Sequence, residues 1–181
     1  LVGSEMCIRD RCNIEIVEKT IQRYFSPPYF PIDVVSLLPN IKFLPFNTVQ
    51  EKLDKHFSLS SIKLNHPGGS TGYKLKQKNT SFIFLCDNEF EEDQLKKLTA
   101  FSAKADLLVW DGMFTDKELI DKKGWGHSSI EQAIDFNAGA NCKKMVITHH
   151  SPHRSDKELD QIAVELPEVF TLARDGLEIK V

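Results

Sequence analysis

The chain has 181 residues, a formal net charge of −3, 41% hydrophobic and 27% charged residues, and four cysteines. This length supports one domain with a hydrophobic core, and the acidic balance gives no basic footprint for nucleic acid. No apolar run approaches the roughly 20 residues that span a bilayer, so we expect no membrane partner. The cysteines have no CxxC spacing, which argues against a zinc ribbon or disulfide scaffold and favours a reducing, cytoplasmic location.

The first eleven residues, LVGSEMCIRDR, differ in character from the rest of the chain. They lack the apolar core and the small-residue cleavage site of a signal peptide. They resemble translated sequencing-adapter sequence at the end of an assembled read, and a natural disordered tail is the alternative. We therefore expect residues 1–11 to be a leader and residues 12–181 to belong to a single domain.

The first part of that domain is predicted to mix helix and strand. Apolar residues at helical spacing predict a helix over residues 13–25, with Asn13 as its N-cap, and the proline-rich stretch SPPYFP ends it. A strand is predicted at IKFLPF. Three further strand-like stretches follow, SIKLNH, TGYKLKQ and SFIFLCD, and the turn PGGSTG joins the first two.

After Asp87 the pattern alternates between helix and strand, which is typical of α/β proteins. Buried strands are predicted at DLLVWDG and KKMVITH, and a closing hairpin is predicted from EVFTLA and LEIKV. Helices are predicted over residues 91–105, 115–123, 128–140 and 155–167. Three of these helices begin with the capping-box pattern: Thr115 with Glu118, Ser128 with Glu131, and Ser155 with Glu158.

Polar residues end four of the predicted strands: His66, Asp87, Asp111 and His149. His127 lies in the turn GWGH, immediately before a capped helix. In layered α/β folds, rigid strands aim such side chains into one crevice, so this pattern predicts a metal or acid–base site. Taken singly, each histidine also fits a surface or hydrogen-bonded role and each aspartate a turn cap. His150 and His153 are interpreted in that simpler way.

Five stretches in order, LNHPGGSTGYKL, FLCDNE, ADLLVWDGMFTDKE, KKGWGHSS and ITHHSPHRSD, resemble a metallo-β-lactamase-fold hydrolase. The sequence is most similar to the phosphoribosyl cyclic phosphodiesterase and cyclic-nucleotide phosphodiesterase-like branch, which is related to ribonuclease Z. The resemblance implies an αββα four-layer sandwich, incomplete here, with residues 12–181 forming the C-terminal two-thirds of the domain.

The resemblance also implies roles for the strand-end residues and a pair of divalent ions, Zn²⁺ or Mn²⁺, as cofactors. His66 matches the histidine that completes the first metal site, Asp87 the aspartate that bridges both metals, and His149 a ligand of the second. His127 matches a non-ligand histidine facing the scissile phosphate, and Asp111 an acidic position beside it. Phe114 stands where many relatives have tyrosine, so a hydroxyl role is not expected there.

The main metal motif of that family, HxHxDH, occurs nowhere in the 181 residues. In the proteins that the chain resembles, this motif precedes the segment that matches SPPYFP. Three ligands divided between two metal sites do not hold two ions tightly. The resemblance therefore implies an N-terminally truncated, metal-poor and nearly inactive chain whose parent is a binuclear hydrolase.

For that parent we expect hydrolysis of small cyclic or linear phosphodiesters by a metal-bound hydroxide. Ribonuclease Z-like RNA cleavage is one alternative, against which the lack of a basic patch counts, so a nucleic-acid partner is not expected. A non-catalytic binding module on the same fold is the other alternative. Because relatives of this kind often dimerise, a homodimer is the candidate oligomeric state.

Overall fold

The computed structural model describes residues 14–33, 46–53 and 55–181, and the chain divides into two compact units, Leu1–Lys55 and His56–Val181. In the first unit, helix α1 spans Ile14–Tyr24 and helix α2 spans Phe46–Lys52. The predicted N-terminal helix is therefore confirmed. Its proposed cap, Asn13, and most of the strand predicted at IKFLPF lie outside the described residues, and the last residue of that stretch begins α2.

The second unit is built on one six-stranded sheet with the strands in sequence order. The strands are β1 (Phe57–Leu64), β2 (Ser70–Gln77), β3 (Thr80–Leu85), β4 (Leu107–Asp111), β5 (Met145–Thr148) and β6 (Phe170–Leu172). The β1–β2 and β2–β3 pairs are antiparallel, and the later pairs are parallel. Strands β1, β3, β4 and β5 consequently finish together, at what we call the carboxyl end of the sheet.

Three helices pack against the sheet in one core cluster: α3 (Glu92–Ser102), α5 (Ile130–Ala140) and α6 (Asp156–Glu165). Helix α4 (Asp116–Leu119, continued by the 3-10 turn Ile120–Lys122) has no buried residue. Because side chains alternate along a strand, every second residue of the central strands points towards these helices. Trp110 of β4 packs on Phe136 of α5, with ring centroids 4.9 Å apart, and both side chains are buried. Burying such a side chain contributes roughly 1.5–3 kcal/mol, so this layer anchors the strands that carry the polar ends.

Two of the three predicted capping boxes are confirmed, at Thr115 and Ser155. The third is displaced by one residue, because Ser129 caps α5 and pairs with Gln132. The hydroxyl of Ser128 is occupied elsewhere: it accepts from the Phe90 N–H at 3.1 Å and donates to the Asn88 carbonyl. The segment SSIEQ contains two overlapping Ser-x-x-Glu/Gln patterns, and tertiary contacts select between them.

The predicted closing hairpin is wrong. Strand β6 pairs with β5 in parallel, and the segment LEIKV forms no strand. Its apolar residues Leu177 and Val181 remain exposed, so the alternating pattern there buries no face. Across the part of the chain that the structure describes, no helix is long and apolar enough to cross a membrane.

Candidate metal and acid–base site

Four of the five predicted site residues meet at the carboxyl end of the sheet: Asp87, Asp111, His127 and His149. One ligand-type atom from each lies within 4.8 Å of the others. Asp111 is the last residue of β4. His149 follows β5 directly, and Asp87 follows β3 after one intervening residue. His127 arrives from the loop before α5. Three of the four predicted strand-end residues, Asp87, Asp111 and His149, therefore lie together, and His127 joins them from the glycine turn.

Asp111 holds the imidazole of His127. Its carboxylate is 1% exposed and accepts from the backbone N–H groups of Asn88 and Met113, both at 3.2 Å. His127 Nδ1 lies 2.8 Å from Oδ2 of the same carboxylate. Since an ionised carboxylate only accepts hydrogen bonds, Nδ1 carries the proton in the neutral ring. The Nε2 atom of His127 is therefore left with its lone pair.

Asp87 and His149 form the second pair, with His149 Nδ1 3.0 Å from Asp87 Oδ1. This hydrogen bond to His149 holds the pKa of the Asp87 carboxyl below its usual range, so the group is ionised at neutral pH. Both residues adopt left-handed backbone, with φ of +57° and +62°. Such conformations are uncommon outside glycine and cluster at functional sites.

Cys86 borders this pair and was not predicted as a site residue. Its Sγ lies 3.4 Å from His149 Nδ1. Burial raises the pKa of the Cys86 thiol far above neutrality, so it remains protonated. Cys86 packs beside His149 and is not part of the four-residue cluster.

His66, the fifth predicted residue, lies outside the four-residue cluster. Its ring centroid is 5.6 Å from that of His127, and its Nδ1 accepts from the Gly68 N–H at 3.0 Å. In the neutral ring Nε2 then carries the proton, so binding a metal through Nε2 requires that hydrogen bond to be given up. His150 and His153 also lie outside the cluster; burial lowers the pKa of the former, and the latter is exposed.

Glu89 fixes the glycine turn that leads into His127, and the sequence reading missed it. Its buried carboxylate accepts from the N–H groups of Gly124 and Gly126, at 2.8 and 2.9 Å. Gly126 has φ +90°, and a Cβ there would lie 2.3 Å from His66 Cδ2 and 2.7 Å from Pro67 Cδ. Only glycine fits this position. The acid two residues after Asp87 and the paired glycines of GWG were the available signals.

The donor chemistry of the cluster fits a divalent ion. Imidazole and carboxylate groups are ligands that Zn²⁺ accepts, and Mn²⁺ takes the same set. Asp111 has its lone pairs engaged by three donors, whereas Asp87 is more accessible and pairs with His149. Asp87 and His149 are therefore the more accessible candidate ligands of the cluster, and Asp111 lies where it can orient His127.

Comparison with known proteins agrees with this fold. Residues 38–150 match the β-lactamase superfamily domain family. Ribonuclease Z of Treponema denticola is 30% identical over 111 residues, which cover 58% of this chain and 34% of that protein. Ribonuclease Z of Prochlorococcus marinus is 32% identical over 113 residues, with the same coverage of both chains. The chain thus spans about a third of the length of these curated relatives.

A solved structure supports the same architecture. The short form of human tRNase Z superposes with a TM-score of 0.52 at 24% identity, covering 71% of this chain and 44% of that one. Fold, site and sequence thus define a protein of the metallo-β-lactamase fold with a candidate metal-binding cluster. Since the family match covers more than half of the chain, the chain belongs to the β-lactamase superfamily.

Proposed function

We propose that this chain is part of a metal-dependent hydrolase that cleaves phosphodiester bonds. The observation that carries the proposal is the juxtaposition of two functional pairs, Asp87–His149 and Asp111–His127, within 4.8 Å. One pair offers ionised and neutral metal ligands, and the other offers an oriented proton carrier. Membership of the superfamily and relatives named Ribonuclease Z support the reaction class.

In this proposal Asp87 and His149 hold metal, with His66 as a third ligand once its ring releases Gly68. Divalent ions in such a site acidify bound water and offset the charge of phosphate oxygens. Because HxHxDH is absent from the 181 residues, the proposed ligands are divided between two sites. We therefore propose that this chain retains metal weakly and has little activity by itself. Zinc and manganese are both compatible with the donor set.

His127 acts in this proposal through Nε2. Asp111 fixes its ring and tautomer, so Nε2 is free to hydrogen-bond a phosphate oxygen or, when protonated, to give its proton to the leaving oxygen. Positioned acid–base groups of this kind contribute typically 10²–10⁴-fold in rate.

The substrate is proposed to be a phosphodiester, with small cyclic or linear esters as the first choice. RNA is the second choice, because the relatives compared above carry the name Ribonuclease Z. That finding removes support from the expectation, based on net charge alone, that nucleic acid is not a partner. The homodimer, the cytoplasmic location and the single-domain layout of residues 12–181 stay predictions.

Metal content by elemental analysis, together with hydrolysis of bis-p-nitrophenyl phosphate, tests the proposal. Both are measured on this chain and on a form extended by its upstream coding sequence. We expect Asp87→Asn and His149→Ala to lose bound metal. His127→Ala is expected to keep metal and to lose activity by about 10²-fold or more. His153→Ala, an exposed histidine outside the cluster, is the matched control. Absence of metal from both forms would refute the hydrolase proposal in favour of a binding module.

A further inference from the structure

A cavity of about 280 Å³ lies at the amino end of the sheet, where β3 and β4 begin. Four lysines line this cavity: Lys74 and Lys76 of β2, Lys78 of the turn between β2 and β3, and Lys104 after α3. Since the candidate metal cluster lies where β3 and β4 end, roughly 20 Å of strand separates the two places. The proposed hydrolase function makes no use of these lysines.

Two of the four lysines bring their charges close together on β2. Alternate residues of a strand share one face, so Lys74 and Lys76 lie on the same side of the sheet. The Lys74 ammonium donates to the Phe101 carbonyl at 2.6 Å, in the last turn of α3, where the helix dipole favours a cation. Burial, together with the neighbouring Lys76 ammonium, lowers the pKa of Lys74. The two positive charges are therefore close enough to repel each other.

The other two lysines occupy backbone positions that favour glycine. Lys78 is the first residue of the two-residue turn between β2 and β3 and has φ +54°. Lys104 is the second residue after α3 and has φ +56°. Glycine is the usual residue at left-handed positions in such hairpins and just past a helix end. Two separate turns thus place lysine where glycine would be more stable, and both lysines line the same cavity. This coincidence indicates a use for their charges beyond the fold.

These lysines are not neutralised by acidic side chains. Among residues 14–33, 46–53 and 55–181, no carboxylate forms an ion pair with any of the four. Asp106, which accepts from the N–H of Ser81 in the cavity wall, is already paired with the Lys143 ammonium at 2.7 Å. Four ammonium groups around one small cavity match an anion that carries several charges in a compact volume. Two or three linked phosphates have this chemistry, since each phosphate supplies several acceptor oxygens.

We propose that the four lysines form a second anion site, separate from the candidate metal cluster, which binds a small polyphosphate such as free triphosphate. A polynucleotide backbone is the other source of phosphate oxygens. Its charges are spread along a strand, about one per 3.4 Å, whereas these lysines surround a single cavity. The compact anion is therefore the better match. This site does not depend on the phosphodiesterase proposal, and either one can fail without the other.

Calorimetry of the 181-residue chain with sodium triphosphate provides the first test. The buffer contains EDTA, so that no metal ion at the carboxyl end of the sheet contributes. We expect one triphosphate per chain and a rise in the unfolding temperature, because a ligand that binds the native state stabilises it. Sulfate at the same ionic strength should give neither effect, and a short oligothymidylate should bind more weakly. Absence of triphosphate binding, or tighter binding of the oligothymidylate, overturns the proposal.

A double variant, Lys78→Gly with Lys104→Gly, separates binding from folding. Glycine relieves both left-handed positions, so without ligand this variant should unfold at a higher temperature than wild type. Its affinity for triphosphate should nevertheless fall by about tenfold, because two partly solvated ammonium contacts are lost. The control, Lys96→Met with Lys157→Met, removes the same charge from exposed positions outside the cavity and should bind like wild type. Unchanged affinity in the glycine variant, or equal losses in both variants, overturns the proposal.

Discussion

Strand β4 has an aspartate at each of its ends, and the two are built differently. Asp106, just before the strand, accepts from the Ser81 N–H at 2.8 Å and from the Lys143 ammonium at 2.7 Å, near solvent. Asp111, its last residue, is buried and pairs with two backbone N–H groups and His127. The first charge is neutralised by a lysine and ties β3 to β4. The Asp111 carboxylate is buried and orients the His127 imidazole. Buried, paired titratable groups of this kind are typical of functional sites.

The largest effect is expected from crowding the carboxyl end. Gly126→Ala places a Cβ within 2.3 Å of the His66 ring and requires alanine at φ +90°. Overpacking and backbone strain together should lower the free energy of unfolding by about 3 kcal/mol. Gly124→Ala is the matched control, because its φ is +85° and nothing lies within 4 Å of its Cβ position. Urea denaturation should give about 1 kcal/mol for that control. Equal losses of unfolding free energy in the two variants would show that the loop accommodates the extra Cβ at residue 126.

The next largest effect on the free energy of unfolding is expected from Asp111→Ala. It leaves the N–H groups of Asn88 and Met113 without their acceptor in a buried place, which costs about 2 kcal/mol in unfolding free energy. Asp111→Asn keeps the volume and should recover part of this stability, yet hydrolysis should stay low because the amide no longer enforces the His127 tautomer. Chemical denaturation of this chain measures the first effect, and bis-p-nitrophenyl phosphate assays on the form extended by its upstream coding sequence measure the second. Full activity in Asp111→Asn would argue against the orienting role.

Glu89→Gln probes the loop with a smaller change. One of its two N–H partners would face the amide NH₂ of glutamine, so we expect a loss of about 1.5 kcal/mol in unfolding free energy. Hydrolysis should fall as well, because the loop positions His127. Glu92→Gln, an exposed change in the first turn of α3, is the control. The proposed role of Glu89 would be contradicted if both variants unfolded at the same temperature.

The smallest effect is expected at the amino end, where it depends on pH. The hydrogen bond from Lys143, with that from the Ser81 backbone, holds the pKa of the Asp106 carboxyl below its usual range. A carboxyl with a depressed folded pKa contributes stability above its unfolded pKa, about 3.9, and loses it as pH falls through the folded pKa. Asp106→Asn should therefore cost about 1 kcal/mol at pH 7 and progressively less below pH 4. Denaturation at both pH values checks this, and a pH-independent loss would point to packing.

Much of the second unit was predictable from the sequence because its signals are local. Apolar runs bounded by turns located β3, β4 and β5, and capping boxes located α4 and α6. The strand-end pattern also predicted which polar residues would be neighbours, since parallel strands finish at one end of a sheet. Local signals failed in SSIEQ, where two capping-box patterns overlap. They also failed in LEIKV, where an alternating pattern predicted a strand that pairs with no neighbour.

The roles of individual side chains depended on long-range contacts. His66 was predicted from its strand-end position, but the tertiary structure sets its ring 5.6 Å from that of His127 and outside the four-residue cluster. For Glu89 the sequence offered only two weak signals, its place two residues after Asp87 and the paired glycines of GWG. Its importance comes from the turn that it holds across 35 and 37 residues of chain.

By itself, then, the sequence determined the element types, the α/β order and the set of polar residues that end strands, because hydrophobic periodicity and capping are short-range properties. Only the tertiary structure decided which serine caps α5, that β6 runs parallel to β5, and that Asp111 engages Nδ1 of His127. Those features depend on burial and on hydrogen bonds between residues far apart in the chain. No window of sequence contains both partners of such a contact.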